Sequence, residues 1–186
     1  MFIDFLTVML INMVVAFVVF ALYLAFFFDK GAKKMVPGFL MTGFIALVTG
    51  LRTIFYWPLP GSNNILFGDL TVMLGVLFFM AGLAILFDWD LITVGIYSAF
   101  AGAVSILLGV RILNMSLTKE PLVAAAGYIL TGATAVATLP VLALPKWKWL
   151  RWLTALAAIG SAVIWAIIGF PSYWGHIDSF SKWMPK

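Results

Sequence analysis

The sequence contains no cysteine, one histidine and one glutamate, and only 10% of its 186 residues are charged. A soluble domain usually carries about 25% charged residues, so this chain cannot cover a water-exposed surface. The absence of cysteine excludes disulfide bonds, iron–sulfur clusters and thiol chemistry. The single histidine and single glutamate argue against a bis-histidine haem and a di-iron carboxylate site. The composition therefore excludes a soluble enzyme and a nucleic-acid-binding module, and no cofactor or metal is expected.

The chain is instead rich in apolar residues, which make up 65% of the sequence and include 17 Phe and 8 Trp. Six apolar runs are each close to the ~20 residues with which a helix crosses a ~30 Å hydrocarbon core. We therefore predict an all-α, polytopic membrane bundle of six transmembrane helices over residues 1–170, followed by an interfacial aromatic tail at residues 171–186. The runs lie at about 5–28, 36–57, 65–87, 91–113, 121–144 and 150–170.

The basic residues predict how the bundle lies in the membrane. Lys and Arg in short loops are retained on the cytoplasmic side. Two clusters of three basic residues occur in or beside the first and fifth loops, which indicates that these loops are cytoplasmic and that both termini lie outside the cell membrane. Asn114-Met-Ser116 would then be an external glycosylation sequon. The clusters are Lys30, Lys33 and Lys34, and Lys146, Lys148 and Arg151.

A shift of 59 residues aligns parts of the chain with each other without a gap. It places the second and third spans on the fourth and fifth, so that residues 36–87 correspond to 95–144. Both units begin on the same side of the membrane, which predicts a parallel two-helix repeat about an axis along the membrane normal. The aligned pairs are Gly43 with Gly102, Gly50 with Gly109, Arg52 with Arg111, and Gly68 with Gly127.

Side-chain size predicts which spans pack closely. The fifth and sixth spans are dense in Ala and Gly, so their backbones can approach other helices. They are expected inside the bundle or at a subunit contact. The first and third spans carry bulky residues such as Phe17, Phe20 and Phe78, which are expected at the lipid or in a peripheral packing layer.

No charged residue lies near the middle of a span, which disfavours a proton-coupled carrier. The mid-span polar residues are mostly Ser and Thr, whose hydroxyls can bond to their own helix. The ionisable residues gather at one level instead: Arg52, Asp69 and Arg111 each lie about 27–31 Å from the loops on the basic side, at 1.5 Å per residue. This level corresponds to the outer edge of the membrane.

Arg52 and Asp69 belong to neighbouring helices joined by the short, proline-containing connection 58–64. We therefore predict that they face each other and form an ion pair. Arg111 has Tyr128 at the repeat position of Asp69, so it lacks this partner and is the better candidate to meet an external anion. Either arginine could instead extend to lipid phosphates.

Glu120 and His176 are predicted on the same outer side. Together with Arg52, Asp69 and Arg111 they define a candidate outer polar or ion-pair site. A weak metal site formed by Glu120, His176 and Asp178 is a lesser alternative, because zinc usually takes three or four protein ligands. No catalytic residue is assigned, since no serine–histidine or paired-carboxylate spacing occurs.

Several segments resemble a known family. These are Trp57-Pro-Leu-Pro-Gly-Ser-Asn-Asn64, Phe67-Gly-Asp69, Gly109-Val-Arg-Ile-Leu-Asn114 and Leu117-Thr-Lys119. The chain is similar over almost its whole length to domain-of-unknown-function family 981, a group of prokaryotic, largely archaeal membrane proteins. The resemblance implies a multi-pass membrane protein of an archaeon or bacterium and carries no activity.

Two functional hypotheses follow from these features. The first is a non-catalytic structural or complex-forming membrane component, which would associate with lipids and with a second copy or another membrane protein. The alternative is an outward-facing carrier, channel or binding protein for a small anion or lipid headgroup, entered near Arg52 and Arg111. A continuous polar path would favour the alternative, and an inner half sealed by apolar side chains would favour the first.

The orientation is testable with reporter fusions at Lys34, Trp149 and Lys186. We expect cytoplasmic signals at Lys34 and Trp149 and an external signal at Lys186, because the basic clusters hold their loops inside. A cytoplasmic signal at Lys186 combined with an external one at Lys34 would reverse the predicted topology.

Overall fold

The structure, a computed structural model, describes residues 5–181, and these contain six helices long and apolar enough to cross a membrane. The prediction of an all-helical membrane bundle with six spans is confirmed. The α-helices are α1 (Phe5–Leu22), α2 (Val36–Tyr56), α3 (Leu70–Leu86), α4 (Ile92–Met115), α5 (Pro121–Ala143) and α6 (Lys148–Phe180).

Two π-helical turns extend this framework. Tyr23–Phe27 continues α1, and Ile65–Asp69 leads into α3. A π turn is wider than an α turn and is often found at functional sites. A 3₁₀ turn at Ala32–Met35 precedes α2.

Asn64 organises the connection between α2 and α3. Its Oδ1 accepts a hydrogen bond from the backbone N–H of Leu59 at 2.8 Å. Its Nδ2 donates to the carbonyls of Leu59 and Gly61. Asn64 is fully buried, so one amide side chain satisfies the backbone of a tight turn that lies at the end of two membrane helices.

The sixth helix is longer than the sequence predicted. It continues through Pro171 to Phe180, whereas the predicted span ended at residue 170. Proline removes one backbone donor and disfavours a helix interior, yet α6 continues for nine residues beyond Pro171. The division into a bundle and an interfacial tail remains a prediction, and residues 182–186 of that tail lie outside the described residues.

The six helices form a ring. Each packs on its neighbours along the chain, and α6 closes the ring by packing on α1. The α2–α3 and α4–α5 hairpins are the most extensive contacts, so the predicted antiparallel packing of the second and third spans is confirmed. The ring places one face of every helix towards a common axis.

Glycines permit the close approach within both hairpins. A Cβ at Gly43 would collide with the backbone of Phe79, and one at Gly102 would lie 2.6 Å from the carbonyl oxygen of Gly132. Gly43 and Gly102 are aligned by the predicted repeat and occupy the same role. Gly68 and Gly127 do not, because Gly68 faces α2 and Gly127 faces α6. The duplication remains a prediction.

The expectation for the phenylalanines was wrong in part. Phe17 and Phe78 are buried, and with Phe20 they line the axis of the ring. Phe26 is exposed on the outer surface, as expected. The difference arises because a helix in a ring has both a lipid-facing and an axial side, and composition alone does not distinguish them.

The Gly43 contact provides a stability test. Gly43→Ala should lower the free energy of unfolding by about 1–3 kcal/mol, because the added methyl group forces the backbones of α2 and α3 apart. Thermal unfolding in detergent measures this effect. Gly175→Ala is the matched control, since no atom lies within 4 Å of the position of its Cβ; equal melting temperatures for the two variants would contradict the proposed role of Gly43.

Candidate functional site

A narrow cavity runs along the axis of the ring and receives side chains from all six helices. Its volume is about 110 Å³. About 10–15 Å³ of such space holds one water molecule, so the cavity has room for several waters or a solute of a few heavy atoms. Along the chain its lining extends from Leu66 to Ile85, which is about 28 Å of helix. The cavity therefore follows most of the membrane thickness.

One wall of the cavity is formed by hydroxyl-bearing residues of α4 and α5. The Ser98 hydroxyl donates to the Ala135 carbonyl at 2.9 Å, and the Ser105 hydroxyl donates to the Tyr128 carbonyl at 2.7 Å. Thr134 donates to the carbonyl of Leu130, one turn earlier on its own helix, at 2.8 Å. These bonds satisfy the hydroxyl protons, and each hydroxyl oxygen keeps the capacity to accept a further hydrogen bond.

Apart from Thr71 of α3, the opposite wall is mostly apolar and aromatic. It is formed by α1, α2 and α3 through Phe17, Phe20, Phe39, Leu74 and Phe78. The Phe39 and Phe78 rings lie 5.4 Å apart, and the Phe20 and Phe78 rings meet edge to face at 6.2 Å. Among the lining residues that the structure describes, none is charged. The cavity is thus an uncharged slot with one hydroxyl wall and one aromatic wall.

The end of the cavity towards residues 57–64 and 116–120, which is the predicted outer end, is closed by Tyr128. Its hydroxyl donates to the Leu66 carbonyl in the π turn at 2.8 Å. Its ring packs edge to face on Trp165 at 5.4 Å. The Trp165 indole N–H donates to the Thr131 hydroxyl oxygen at 2.9 Å. These bonds connect α3, α5 and α6 across the axis.

The opposite end, towards residues 28–34 and 87–91, is the predicted inner end and is closed by Tyr23, Ile85 and Leu91. These three residues line both the axial cavity and an open recess beyond it. Across the recess, Lys33 Nζ lies 2.6 Å from Asp88 Oδ2, and both side chains are exposed. Tyr23 belongs to the first π turn and Leu66 to the second, so each π turn contributes a residue to one closed end.

The predicted Arg52–Asp69 ion pair is not formed. The ion pairs of residues 5–181 are Lys33–Asp88 and Arg151–Asp29. The Arg52 guanidinium is exposed and lies over the rings of Phe5 and Tyr56. At this level α2 and α3 meet through Thr53 and Gly68. Arg52 and Asp69 are each one residue away from that contact, which is about a quarter of a helical turn.

The other members of the predicted outer site are also not brought together. Arg111 and Glu120 are exposed, and His176 packs edge to face on Phe180 with ring centres 5.6 Å apart. Within the described residues, no group of three His, Asp or Glu could hold a metal ion, so Glu120, His176 and Asp178 form no such group. The charged residues of this end thus lie on the outside of the bundle.

The ion pair that contains a buried side chain lies at the predicted inner end instead. Arg151, at the start of α6, has a side chain that is only 9% exposed, and its Nη1 lies 2.8 Å from Asp29 Oδ2. Its guanidinium also covers the Phe28 ring at 5.0 Å. Arg151 therefore anchors the start of α6 to the end of the first span.

The cavity hydroxyls could have been found from their spacing. Thr131, Thr134 and Thr138 follow the three- and four-residue spacing of one helix face, and Ser98 and Ser105 are seven residues apart. From the sequence, the mid-span hydroxyls are each expected to bond to their own helix. A row of hydroxyl-bearing residues on each of two neighbouring helices would have indicated a shared polar surface.

Residues 1–179 match the family described as "Protein of unknown function (DUF981)". The chain belongs to this family. The resemblance found in its loop and helix-end motifs is thereby confirmed. No curated protein matches the sequence of this DUF981 member.

A solved structure has the same fold as this DUF981 protein. It is the Helicobacter pylori urea channel in its closed state, determined by electron cryomicroscopy. The two share 17% sequence identity with a TM-score of 0.70, and the match covers 91% of this chain and 99% of the channel chain. At this identity the likeness shows the fold alone.

The Arg151–Asp29 pair in this DUF981 protein provides a test of the corrected electrostatics. Asp29→Asn should lower the free energy of unfolding by about 1–2 kcal/mol, because it leaves a buried guanidinium without its counter-ion. The effect stays below that of a fully buried pair, since the Asp29 side chain is 61% exposed. Thermal unfolding in detergent provides the measurement.

Asp69→Asn and Asp88→Asn are the controls for this test. Asp69 has no ion pair within the described residues, and Asp88 belongs to an exposed one, which contributes at most about 1 kcal/mol. A larger loss of stability for Asp69→Asn than for Asp29→Asn would restore the original ion-pair prediction.

Proposed function

We propose that this protein is a membrane channel for small, uncharged, polar solutes, which pass along the axis of the six-helix ring. The observation that carries the proposal is the axial cavity, which has an uncharged lining, a hydroxyl wall and a length close to the membrane thickness. The shared fold of the Helicobacter pylori urea channel supports it. Within this proposal urea is the first solute to test.

The lining favours a neutral solute over the anion considered from the sequence. A polar group that leaves water needs replacement hydrogen bonds, and an ion needs far more compensation. The oxygens of Ser98, Ser105 and Thr134 offer such replacement. Arg52 and Arg111 are exposed and do not line the cavity, so no described cation is available along the axis for an anion.

The geometry corresponds to a closed channel. The hydroxyl wall reaches Thr138, whereas the predicted inner end is closed by the apolar side chains of Ile85 and Leu91 and by the ring of Tyr23. Passage would require these three side chains to separate. An apolar inner end was the feature expected of a purely structural component, but the hydroxyl wall and the volume beyond it are better explained by a channel that is shut.

Further sequence predictions belong to this proposal. We retain an orientation with both termini outside, so that the recess at Lys33 and Asp88 faces the cytoplasm. Arg52 and Arg111 would then meet lipid phosphates at the outer surface. Self-association of the bundle also remains a prediction.

Permeability of reconstituted vesicles tests the function. Proteoliposomes exposed to a urea or formamide gradient should re-swell several times faster than empty vesicles in stopped-flow light scattering, because the hydroxyl wall replaces hydration lost on entry. They should carry no potassium or chloride current, since the described lining holds no charge. If proteoliposomes and empty vesicles show the same solute flux for either direction of the gradient, the proposed function is excluded.

A blocking variant locates the pathway. Ala135 lines the cavity, and Ala133 is exposed two residues earlier on the same helix. Ala135→Leu should abolish most of the urea flux by filling the slot, whereas Ala133→Leu should leave it close to wild type. The same flux in both variants would show that the solute does not travel along the axis.

A further inference from the structure

Thr71 differs from the other buried threonines of the bundle. Its side chain is only 5% exposed, and it lines the axial cavity. Within residues 5–181, no hydrogen bond joins its hydroxyl to another group. Buried hydroxyls normally form a hydrogen bond within the protein, because this bond offsets the free energy lost when the hydroxyl is removed from water.

Five other buried threonines have satisfied hydroxyls. Each of these five donates to the carbonyl four residues earlier on its own helix, at distances of 2.7–3.0 Å. The corresponding carbonyl for Thr71 belongs to Phe67, inside the π turn Ile65–Asp69. There the i→i+5 pattern replaces α-helical bonding, and the hydroxyl has no partner. The satisfied residues are Thr42, Thr53, Thr134, Thr138 and Thr154.

The Thr71 oxygen also retains access to the cavity. Two polar side-chain atoms in the described residues are fully sealed without a partner, Thr118 Oγ1 and Arg151 Nε. Thr71 Oγ1 is not among them. Its unpaired O–H can therefore donate a hydrogen bond to a molecule that enters the axial cavity.

A second hydroxyl proton is available across the ring. The Thr131 oxygen accepts the Trp165 indole N–H, and no described group accepts the Thr131 proton. Thr71 lies about 9 Å of helix from the outer start of its span, and Thr131 about 15 Å from that of α5. A solute moving inward would meet these two donors in succession.

From these contacts we infer that Thr71 is a specificity-determining residue, whose hydroxyl donates a hydrogen bond to the carbonyl oxygen of a small amide or urea, with Thr131 as the next donor along the axis. This inference rests on the proposed channel function. A planar amide suits the slot, since its carbonyl accepts from Thr71 while its N–H groups can donate to the oxygen lone pairs of Ser105 and Thr134. The aromatic rings that line the cavity can pack against the flat face of the amide.

The test compares two isosteric substitutions in the full-length protein. Thr71→Val should reduce urea and formamide permeability of proteoliposomes by about threefold to tenfold, the equivalent of one net hydrogen bond. Thr154→Val removes a buried hydroxyl whose proton is bonded to the Leu150 carbonyl of its own helix and which does not line the cavity, and it should leave permeability close to wild type. Thr71→Ser, which keeps the hydroxyl, should conduct like wild type.

Thermal unfolding of the same variants gives a readout that does not depend on transport. Thr71→Val should melt at or above the wild-type temperature, because it removes an unpaired buried hydroxyl. A marked fall in melting temperature would show that the hydroxyl is already bonded within the protein and would overturn the inference.

The outcomes separate the inference from the function on which it rests. If wild type conducts urea and Thr71→Val conducts as well as Thr154→Val, the role of Thr71 is wrong while the channel stands. If wild-type vesicles conduct no neutral solute, the channel proposal fails, and the assignment of Thr71 fails with it.

Discussion

Hydrocarbon cannot hydrogen-bond, so every polar group within the membrane must find its partner inside the protein. This requirement explains most of the polar contacts of the bundle. Ser98 and Ser105 bond across the α4–α5 hairpin, and Asn12 donates to the Thr42 carbonyl to join α1 to α2. Thr71 stands out because it does not meet the requirement with any described group, and it lies on the axis of the ring.

The two π turns have a defined place in the ring. Each adds width where a span meets an end of the cavity, and each contributes a closing residue, Tyr23 at the inner end and Leu66 at the outer end. The Leu66 carbonyl accepts the Tyr128 hydroxyl, so backbone from one hairpin is bonded to a side chain of the other. Closure of the axis is therefore built from both hairpins, and relative movement of the hairpins would change it.

The sequence predicted the fold better than the site. Apolar runs and basic loops identified six spans and the antiparallel α2–α3 pair, because membrane thickness fixes helix length and a short loop fixes adjacency. The predicted ion pair of Arg52 with Asp69 was wrong. Residue counts give the height of a side chain along its helix, but they do not give the direction in which the side chain points around the helix axis. Thr53 and Gly68 are in contact, and Arg52 and Asp69, each one residue away, therefore point in other directions. The charged group that is buried, Arg151, pairs instead with Asp29, 122 residues away in sequence.

By itself, the sequence determined that this protein is a membrane bundle without charge near the middle of its spans, because the cost of burying unpaired charge in hydrocarbon constrains composition directly. It also determined which segments cross and where small residues permit close packing. Only the tertiary structure decided that the hydroxyls of α4 and α5 face the aromatic rings of α1, α2 and α3 across a common cavity. That arrangement depends on closing the ring between α1 and α6. It is a contact between the two ends of the chain, which no local pattern of residues encodes.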